Sequence, residues 1–450
     1  MKQFFKTFLL MTSVFCAVSV GAADPFSVYR ANAPEGCLDK EIGKNPLTLS
    51  DLVAIGICHN PTLSKEFMSV KIQEAGVGKT KAAYLPRVEG TAGAAKESNK
   101  VEGSSAVEDD PLSVNVALSW LLFDFGGRKS TKEQAKAFLK AAEFNYNTAL
   151  QDMIFSIAQA YYDLLGNRQV LKSTESSEAS YKKSFEEAAR RYDLGLIALS
   201  DKLLAETSYE QSRLSTIQAK NNVEQSQGRL ALLLNLPPQT TFDLLEPTSE
   251  KGFEKLPTDK TIQELIDIAL ENRSEIKSAG SRELAAKLGI KIARSSGLPS
   301  VLANASGSMG NDWKQHQDSR FGAKAGVAVN VPFFTGFSDT YKVGEAEYTH
   351  RQAEANLQEV KNTVRQEVWS AYQNYKASVS AYDISKKVVA SAKENERLAF
   401  ESYKIGKADI LNLLTANSQL AQAYQENAVA FYNILMTKAK LYRTIGRTES

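Results

Sequence analysis

The sequence states the same pattern twice, at a spacing of about 211 residues. Ala160-Tyr161 returns as Ala371-Tyr372, and Arg191-Tyr192-Asp193-Leu194-Gly195 returns as Ser402-Tyr403-Lys404-Ile405-Gly406. Leu203-Leu204-Ala205 returns as Leu414-Thr415-Ala416, and Asn235 meets Gly446. Upstream, Leu85-Pro86 matches Leu298-Pro299 and Asn60 matches Asn272, with the offset drifting by only one or two residues. Solenoid repeats have periods of roughly 20–50 residues. A period this long makes each copy half of a protomer. Whatever the first half folds into, the second must fold into as well, in the same order.

Residues 1–22 read as a secretory signal. Lys2 and Lys6 form the basic start, Phe8 to Val20 the apolar stretch, and Val20-Gly21-Ala22 the small residues before cleavage. Residues 23–46 then form an N-terminal extension. The whole chain carries 54 basic and 52 acidic residues, so loss of Lys2 and Lys6 leaves an even balance and no nucleic-acid partner is expected. Phe15 is too large for a lipoprotein cleavage box before Cys16, so no lipid anchor is expected. Cys37 and Cys58 remain as an even pair in an exported chain, which points to a disulfide, with two free thiols as the alternative. His59 adjoins Cys58, but His316 and His350 lie far along the chain, so no metal site is expected. After the signal no run of 18 or more apolar residues occurs. Entry into a membrane would therefore require a closed sheet.

Each half shows one order of parts. In the first repeat, residues 47–238, a short amphipathic helix spans Leu49 to Cys58 after a Thr48 or Ser50 cap, and Asn60-Pro61 breaks it. A second helix runs from Thr62 to about Ala83 and stops at Leu85-Pro86. A strand pair over about 84–124 follows, interrupted by a polar loop near Ser98 to Pro111. Its second strand alternates Leu112, Val114, Val116, Leu118 and Trp120 with Ser113, Asn115, Ala117 and Ser119. The second repeat, 259–447, follows a linker over 239–258 and places its strand pair at about 298–334. There Val301, Ala303 and Ala305 alternate with Leu302, Asn304 and Ser306. After a loop carrying Trp313, Ala323, Ala325, Val327, Val329 and Val331 interleave with Lys324, Gly326, Ala328 and Asn330. Such alternation fits an outer-membrane strand and also a sandwich hairpin. Phe123, Phe125, Phe333, Phe334 and Phe337 cluster at the strand exits, as in an interfacial aromatic girdle or a soluble core.

From Gly127 to Tyr192, and from Ser338 to Tyr403, proline is absent and apolar residues recur at three and four spacing: Ile154, Ile157, Ala158, Tyr161, Leu165, and Val364, Val368, Ala371, Tyr372, Tyr375. A helix of that length measures roughly 100 Å at 1.5 Å per residue. Each ends at a glycine, Gly195 or Gly406, and a return helix completes a hairpin, over 127–236 and 338–446. Four strands cannot close a barrel, since the smallest membrane barrels have about eight, and an open edge is excluded in lipid. The sheet must be shared between copies. Three copies supply twelve strands and a ring of long helices, and counting alone leaves dimers and tetramers open.

These features resemble the TolC-type outer-membrane efflux and secretion channel family over nearly the whole chain after the signal. The resemblance is carried by Arg191 to Asp201 and Tyr403 to Ile410 at the hairpin turns, by the strand exits Trp120-Leu121-Leu122-Phe123-Asp124 and Val331-Pro332-Phe333-Phe334, and by Cys58-His59-Asn60-Pro61. It implies a mainly α mixed fold. Long antiparallel helical hairpins would form a trimeric α-barrel tunnel, joined to a shared twelve-stranded transmembrane β-barrel with four strands per protomer. It also implies the function: a passive exit duct of a tripartite efflux or type I secretion system, in the outer membrane with its helical part in the periplasm. The implied partners are two further copies, a periplasmic adaptor (membrane fusion) protein, an inner-membrane pump of the ABC, RND or MFS type, and outer-membrane lipid.

By the same resemblance, the turns at Leu194, Gly195, Leu196, Ile405 and Gly406 dock the adaptor. The periplasmic gate is latched by Ser200, Asp201, Tyr403 and Lys407, with a Tyr403 hydroxyl bond to Asp201. The family's latch arginine falls on Ala408, leaving Lys407 and Lys404 as substitutes, and the acidic constriction positions fall on Asn412 and Thr415. Simpler readings stand beside these: Tyr192 and Tyr403 packing at a helical turn, and Asp201 as a helix N-cap. The cysteine pair and the missing lipid box lean toward the secretion-linked branch. The rival from another class is a periplasmic structural coiled coil, adaptor-like, with a soluble β-domain.

Gly78-Lys79-Thr80 mimics the end of a phosphate loop, but its upstream glycine position is Gln73 and the segment is helical by pattern. No catalytic constellation is found, and no catalytic, cofactor-binding or metal residues are expected.

Overall fold

The computed structural model describes residues 46–95, 97–99, 107–109, 111–246, 261–312 and 320–446. The signal, Cys37, Trp313 and most of the 239–258 linker lie outside them. The helices are α1 (Leu49–His59), α2 (Pro61–Ala82), α3 (Gly127–Asp193), α4 (Leu199–Leu233), α5 (Ile262–Asn272), α6 (Ser274–Ser296), α7 (Ser338–Lys404) and α8 (Ile410–Thr444). The strands are β1 (Arg87–Ala94), β2 (Glu97–Asn99), β3 (Val107–Asp109), β4 (Pro111–Phe123), β5 (Ser300–Asp312) and β6 (Arg320–Asn330). The duplication is visible in the element lengths. Both long helices, α3 and α7, have 67 residues, and both return helices, α4 and α8, have 35.

The chain divides into two compact units, and each draws on both repeats. One comprises the described parts of Met68–Glu143 and Ser278–Leu357. The other comprises those of Pro34–Phe67, Phe144–Lys277 and Gln358–Ser450.

The first unit holds a four-stranded antiparallel sheet in the order β1-β4-β5-β6, with β1 and β6 at its edges. The repeats meet at β4 and β5, where Trp120 pairs with Ala303, Leu118 with Ala305, Val116 with Gly307 and Val114 with Met309. The outer registers continue these rows. Val88, Leu118, Ala305 and Ala325 lie side by side, as do Ala92, Val114, Met309 and Phe321. On the alternate positions Glu89, Ala117, Ser306 and Lys324 align, and so do Thr91, Asn115, Ser308 and Gly322. Because side chains alternate with period two, this register gathers the apolar residues of both halves on one face. That face is exposed in the single chain: Val327 is 67% and Phe321 79% accessible.

Where β4 ends, its register against β5 shifts between Leu121 and Phe123. The carbonyls freed there are taken by Arg128, which donates to Leu121 O at 2.6 Å and Leu122 O at 3.0 Å. Phe125 and Phe337 both adopt positive φ in the turns entering α3 and α7. Phe123 stands edge-on to Phe125 and Phe334 to Phe337, all four at least half exposed. These turns thus present the aromatic cluster expected from the sequence outward.

In the second unit, α1 starts with a capping box in which Thr48 and Asp51 satisfy each other's backbone N–H groups, and Thr261 and Glu264 do the same for α5. Thr48, not Ser50, is the cap. Leu52 and Ile55 of α1 bury against Ile157, Leu164, Leu165, Leu230 and Leu234 of the first hairpin. In α7, Val364, Val368, Ala371, Tyr375 and Ser378 are buried at alternating spacings of four and three, the seam of a coiled coil. Arg273, 2% exposed, binds Glu275 and Glu367 at 2.8 Å and donates to Thr444 O at 3.2 Å. Arg443 joins the same knot through Asp152 and Glu275.

Candidate functional site: the paired hairpin turns

Both hairpins turn by one mechanism. Gly195 has φ +70° and Gly406 φ +76°, a left-handed conformation in which a Cβ is unfavourable. Gly195 N–H donates to Tyr192 O and Leu196 N–H to Arg191 O; Gly406 N–H donates to Tyr403 O and Lys407 N–H to Ser402 O. These are the two bonds of a Schellman motif, which satisfies the last carbonyls of a helix and reverses the chain within a few residues. The turn leaves Leu194, Leu196 and Ile405 pointing into solvent, each more than 60% exposed.

The restart of the chain differs between copies. Asp409 caps α8, its carboxylate accepting from Asn412 N–H at 2.8 Å. The matching residue in the first copy is Ala198, which has no side-chain cap. Asp201 lies inside the first turn of α4, so the N-cap reading of that residue is incorrect. Its carboxylate accepts from Ser200 Oγ at 3.4 Å.

Tyr403 is the centre of the site. It is 2% exposed and packs with Ala188, Ala205, Ile410, Leu413 and Leu414, drawn from both hairpins. Its hydroxyl is buried with no hydrogen-bond partner among the described residues. The expected bond to Asp201 is therefore not made in the chain, because the ring is turned into the apolar cluster. Burial pushes the phenol pKa up, and the Asp201 and Glu187 carboxylates push it the same way against the opposing charge of Arg191. Arg191 of the first hairpin reaches across the turn. Its guanidinium sits 4.7 Å from the Tyr403 ring centroid, and its Nη1 donates to Tyr403 O. A Cβ on Gly406 would lie 3.4 Å from Arg191 Nη2.

Lys407 is exposed and makes none of the side-chain ion pairs among the described residues. The cation that ties the turns together is Arg191, which sequence reasoning passed over. Its matching residue, Ser402, is uncharged, so the repeat itself carried the signal: an arginine present in one copy only.

Farther along, Asn417 Nδ2 donates to Ser184 Oγ at 2.9 Å in a buried link between α8 and α3. Beside it runs a polar groove of about 570 Å³ lined in part by Tyr181, Leu204, Ser212, Leu414 and Ser418. Cys58, on α1, is disulfide-bonded. The expected partner, Cys37, lies outside the described residues.

A sequence profile of the outer membrane efflux protein family matches residues 55–236 and 265–447, one stretch per repeat. The chain belongs to this family. Protein CyaE of Bordetella pertussis is 26% identical over 388 residues, covering 85% of this chain and 80% of its own. Outer membrane protein TolC of Escherichia coli is 24% identical over 401 residues, covering 86% and 80%. Among solved structures, the outer-membrane channel OprN superposes with a TM-score of 0.79 at 21% identity, over 88% of this chain and 89% of its own. As a member of the outer membrane efflux family, the protein is an outer-membrane exit duct of an efflux or secretion system and not an enzyme.

Proposed function

We propose that the protein works as a homotrimer in which three four-stranded sheets close into a twelve-stranded outer-membrane barrel. The observation that carries this is the sheet itself: its apolar residues share one face, and β1 and β6 are left as edges. In lipid an unpaired edge is excluded, so each edge strand is completed by a neighbour's. The coiled-coil helices then line a tunnel through the periplasm, closed at the hairpin turns.

The turns are the gate and the docking point. Exposed Leu194, Leu196 and Ile405 offer apolar contacts to a periplasmic adaptor. The Arg191–Tyr403 clamp, with Ser200 and Asp201 beside it, holds the two hairpins of one protomer together until adaptor and inner-membrane pump engage. The pump, of the ABC, RND or MFS type, supplies the energy. A Cys37–Cys58 disulfide would tie the N-terminal extension to α1, a feature in keeping with the secretion-linked branch.

The deciding measurement is the native mass of the protein extracted from membranes in detergent. Three copies per particle is the expected result. A monomer recovered from the soluble periplasm without detergent would overturn the barrel.

A further inference from the structure

The first unit contains a side-chain cluster that the duct does not use. On α7, His350 and Glu354 are four residues apart and share one face of the helix. Glu283 reaches them from α6. His350 Nε2 lies 2.6 Å from Glu283 Oε1 and 3.7 Å from Glu354 Oε1, and ligand atoms of all three residues fall within 4.8 Å of one another. The imidazole and the Glu283 carboxylate are largely covered, at 15% and 23% side-chain exposure, while Glu354 stands at the open side at 57%.

The charges do not balance. Two carboxylates converge on one imidazole, and among the described residues it is the sole ion-pair partner of either. Of the cations on these two helices, Arg294 pairs with Glu347 at 3.0 Å and Arg351 lies over the Tyr348 ring, while Lys287, one turn from Glu283, is exposed and forms no ion pair with it among the described residues. A neutral imidazole leaves two negative charges at the cluster and a protonated one leaves one. A divalent cation would satisfy both carboxylates together.

We propose that Glu283, His350 and Glu354 bind a divalent transition-metal ion of the zinc type, stapling α6 to α7. One imidazole nitrogen and two carboxylate oxygens are a borderline donor set that suits zinc better than calcium or magnesium. Metal–ligand distances of about 2.0–2.2 Å put tetrahedral ligand atoms roughly 3.4 Å apart, between the two separations present. Seating the ion requires the Glu283 carboxylate to draw back from Nε2, from 2.6 Å to about 3.4 Å. The open side beyond Glu354 leaves a fourth position for water. The cluster is not legible in the sequence, because Glu283 is 67 residues from His350 and only the packing of α6 on α7 joins them.

The test is zinc titration of the untagged, detergent-extracted full chain by calorimetry, followed by metal analysis after dialysis. The expected result is saturable binding of one zinc ion per chain, weakened at least tenfold in His350→Ala and in Glu354→Gln, and unchanged in His59→Ala. Glu354→Gln alters an exposed helical side chain and serves as the decisive variant if His350→Ala fails to fold. No saturable binding by the wild type, or equal binding by wild type and Glu354→Gln, would overturn the proposal.

Discussion

Arg191 and Tyr403, 212 residues apart, link the two hairpin turns: the guanidinium covers the ring and donates to the same residue's carbonyl. A cation–π contact is worth about 0.5–2 kcal/mol and a hydrogen bond to a charged group about 1.5–3 kcal/mol. Arg191→Met removes both while keeping length. It should shift the gate toward open by roughly tenfold or more, since about 1.4 kcal/mol is a factor of ten. Cells carrying it should take up bulky antibiotics faster, and single channels should conduct more. Wild-type uptake and conductance together would remove Arg191 from the gate.

Tyr403→Phe should behave differently. The hydroxyl has no partner in the chain, and deleting an unpaired buried polar group is close to neutral or stabilising. Antibiotic uptake should stay at the wild-type level. A leak as large as that of Arg191→Met would show that the hydroxyl bonds across to a neighbouring protomer.

Arg273 anchors the knot joining α3, α5, α6, α7 and α8. Removing one member of a buried, hydrogen-bonded ion cluster costs about 3–5 kcal/mol, and here it leaves Glu275 and Glu367 with Arg443 as their one remaining cationic partner among the described residues. Arg273→Ala should lower the thermal midpoint by many degrees. A midpoint unchanged within error would mean that solvent screens the knot.

The same knot sets an acid limit. Burial raises the Glu275 pKa, but the hydrogen bond and charge of Arg273 outweigh it, and the net value is below the ordinary 4.5. A carboxylate with a lowered folded pKa contributes stability that is present above the unfolded value and is lost as pH falls through the folded one. Melting temperature should therefore decline as the pH drops below about 4.5, and Glu275→Gln should flatten that decline. Parallel curves for the two proteins would exclude Glu275 as a source.

Gly56 sits where α1 crosses α3, and a Cβ there would lie 2.3 Å from Ile157 Cδ1. Overpacking a core costs about 1–3 kcal/mol. Gly56→Ala should destabilise by that much, and adding Ile157→Val, which deletes the clashing methyl, should recover part of it. Strictly additive losses in a denaturation cycle would show that the clash is relieved elsewhere.

On the sheet, Val327→Arg places a charge on the apolar face at a cost of about 2–4 kcal/mol at the bilayer midplane. It should reduce trimer recovery from membranes, whereas Ala328→Arg, on the polar face, should be tolerated. Equal recovery of both would argue against lipid on the Val327 side.

Much of this architecture follows from local pattern. Sixty-residue stretches without proline commit α3 and α7 to helix, glycines at the repeat positions 195 and 406 commit both turns, and period-two alternation commits β4 and β6, because each rule acts over a few neighbouring residues. Their duplication made the order of parts readable twice. What the sequence left open is every relationship that depends on register between distant segments. The pairing of β4 with β5 puts the apolar residues of both halves on one face. Packing of the hairpins turns Tyr403 inward and brings Arg191, not Lys407, onto it, and α6 against α7 sets Glu283 beside His350. Local preferences act through the backbone of adjacent residues, whereas these contacts are fixed by how whole helices and strands slide against each other, and only the tertiary structure decides that.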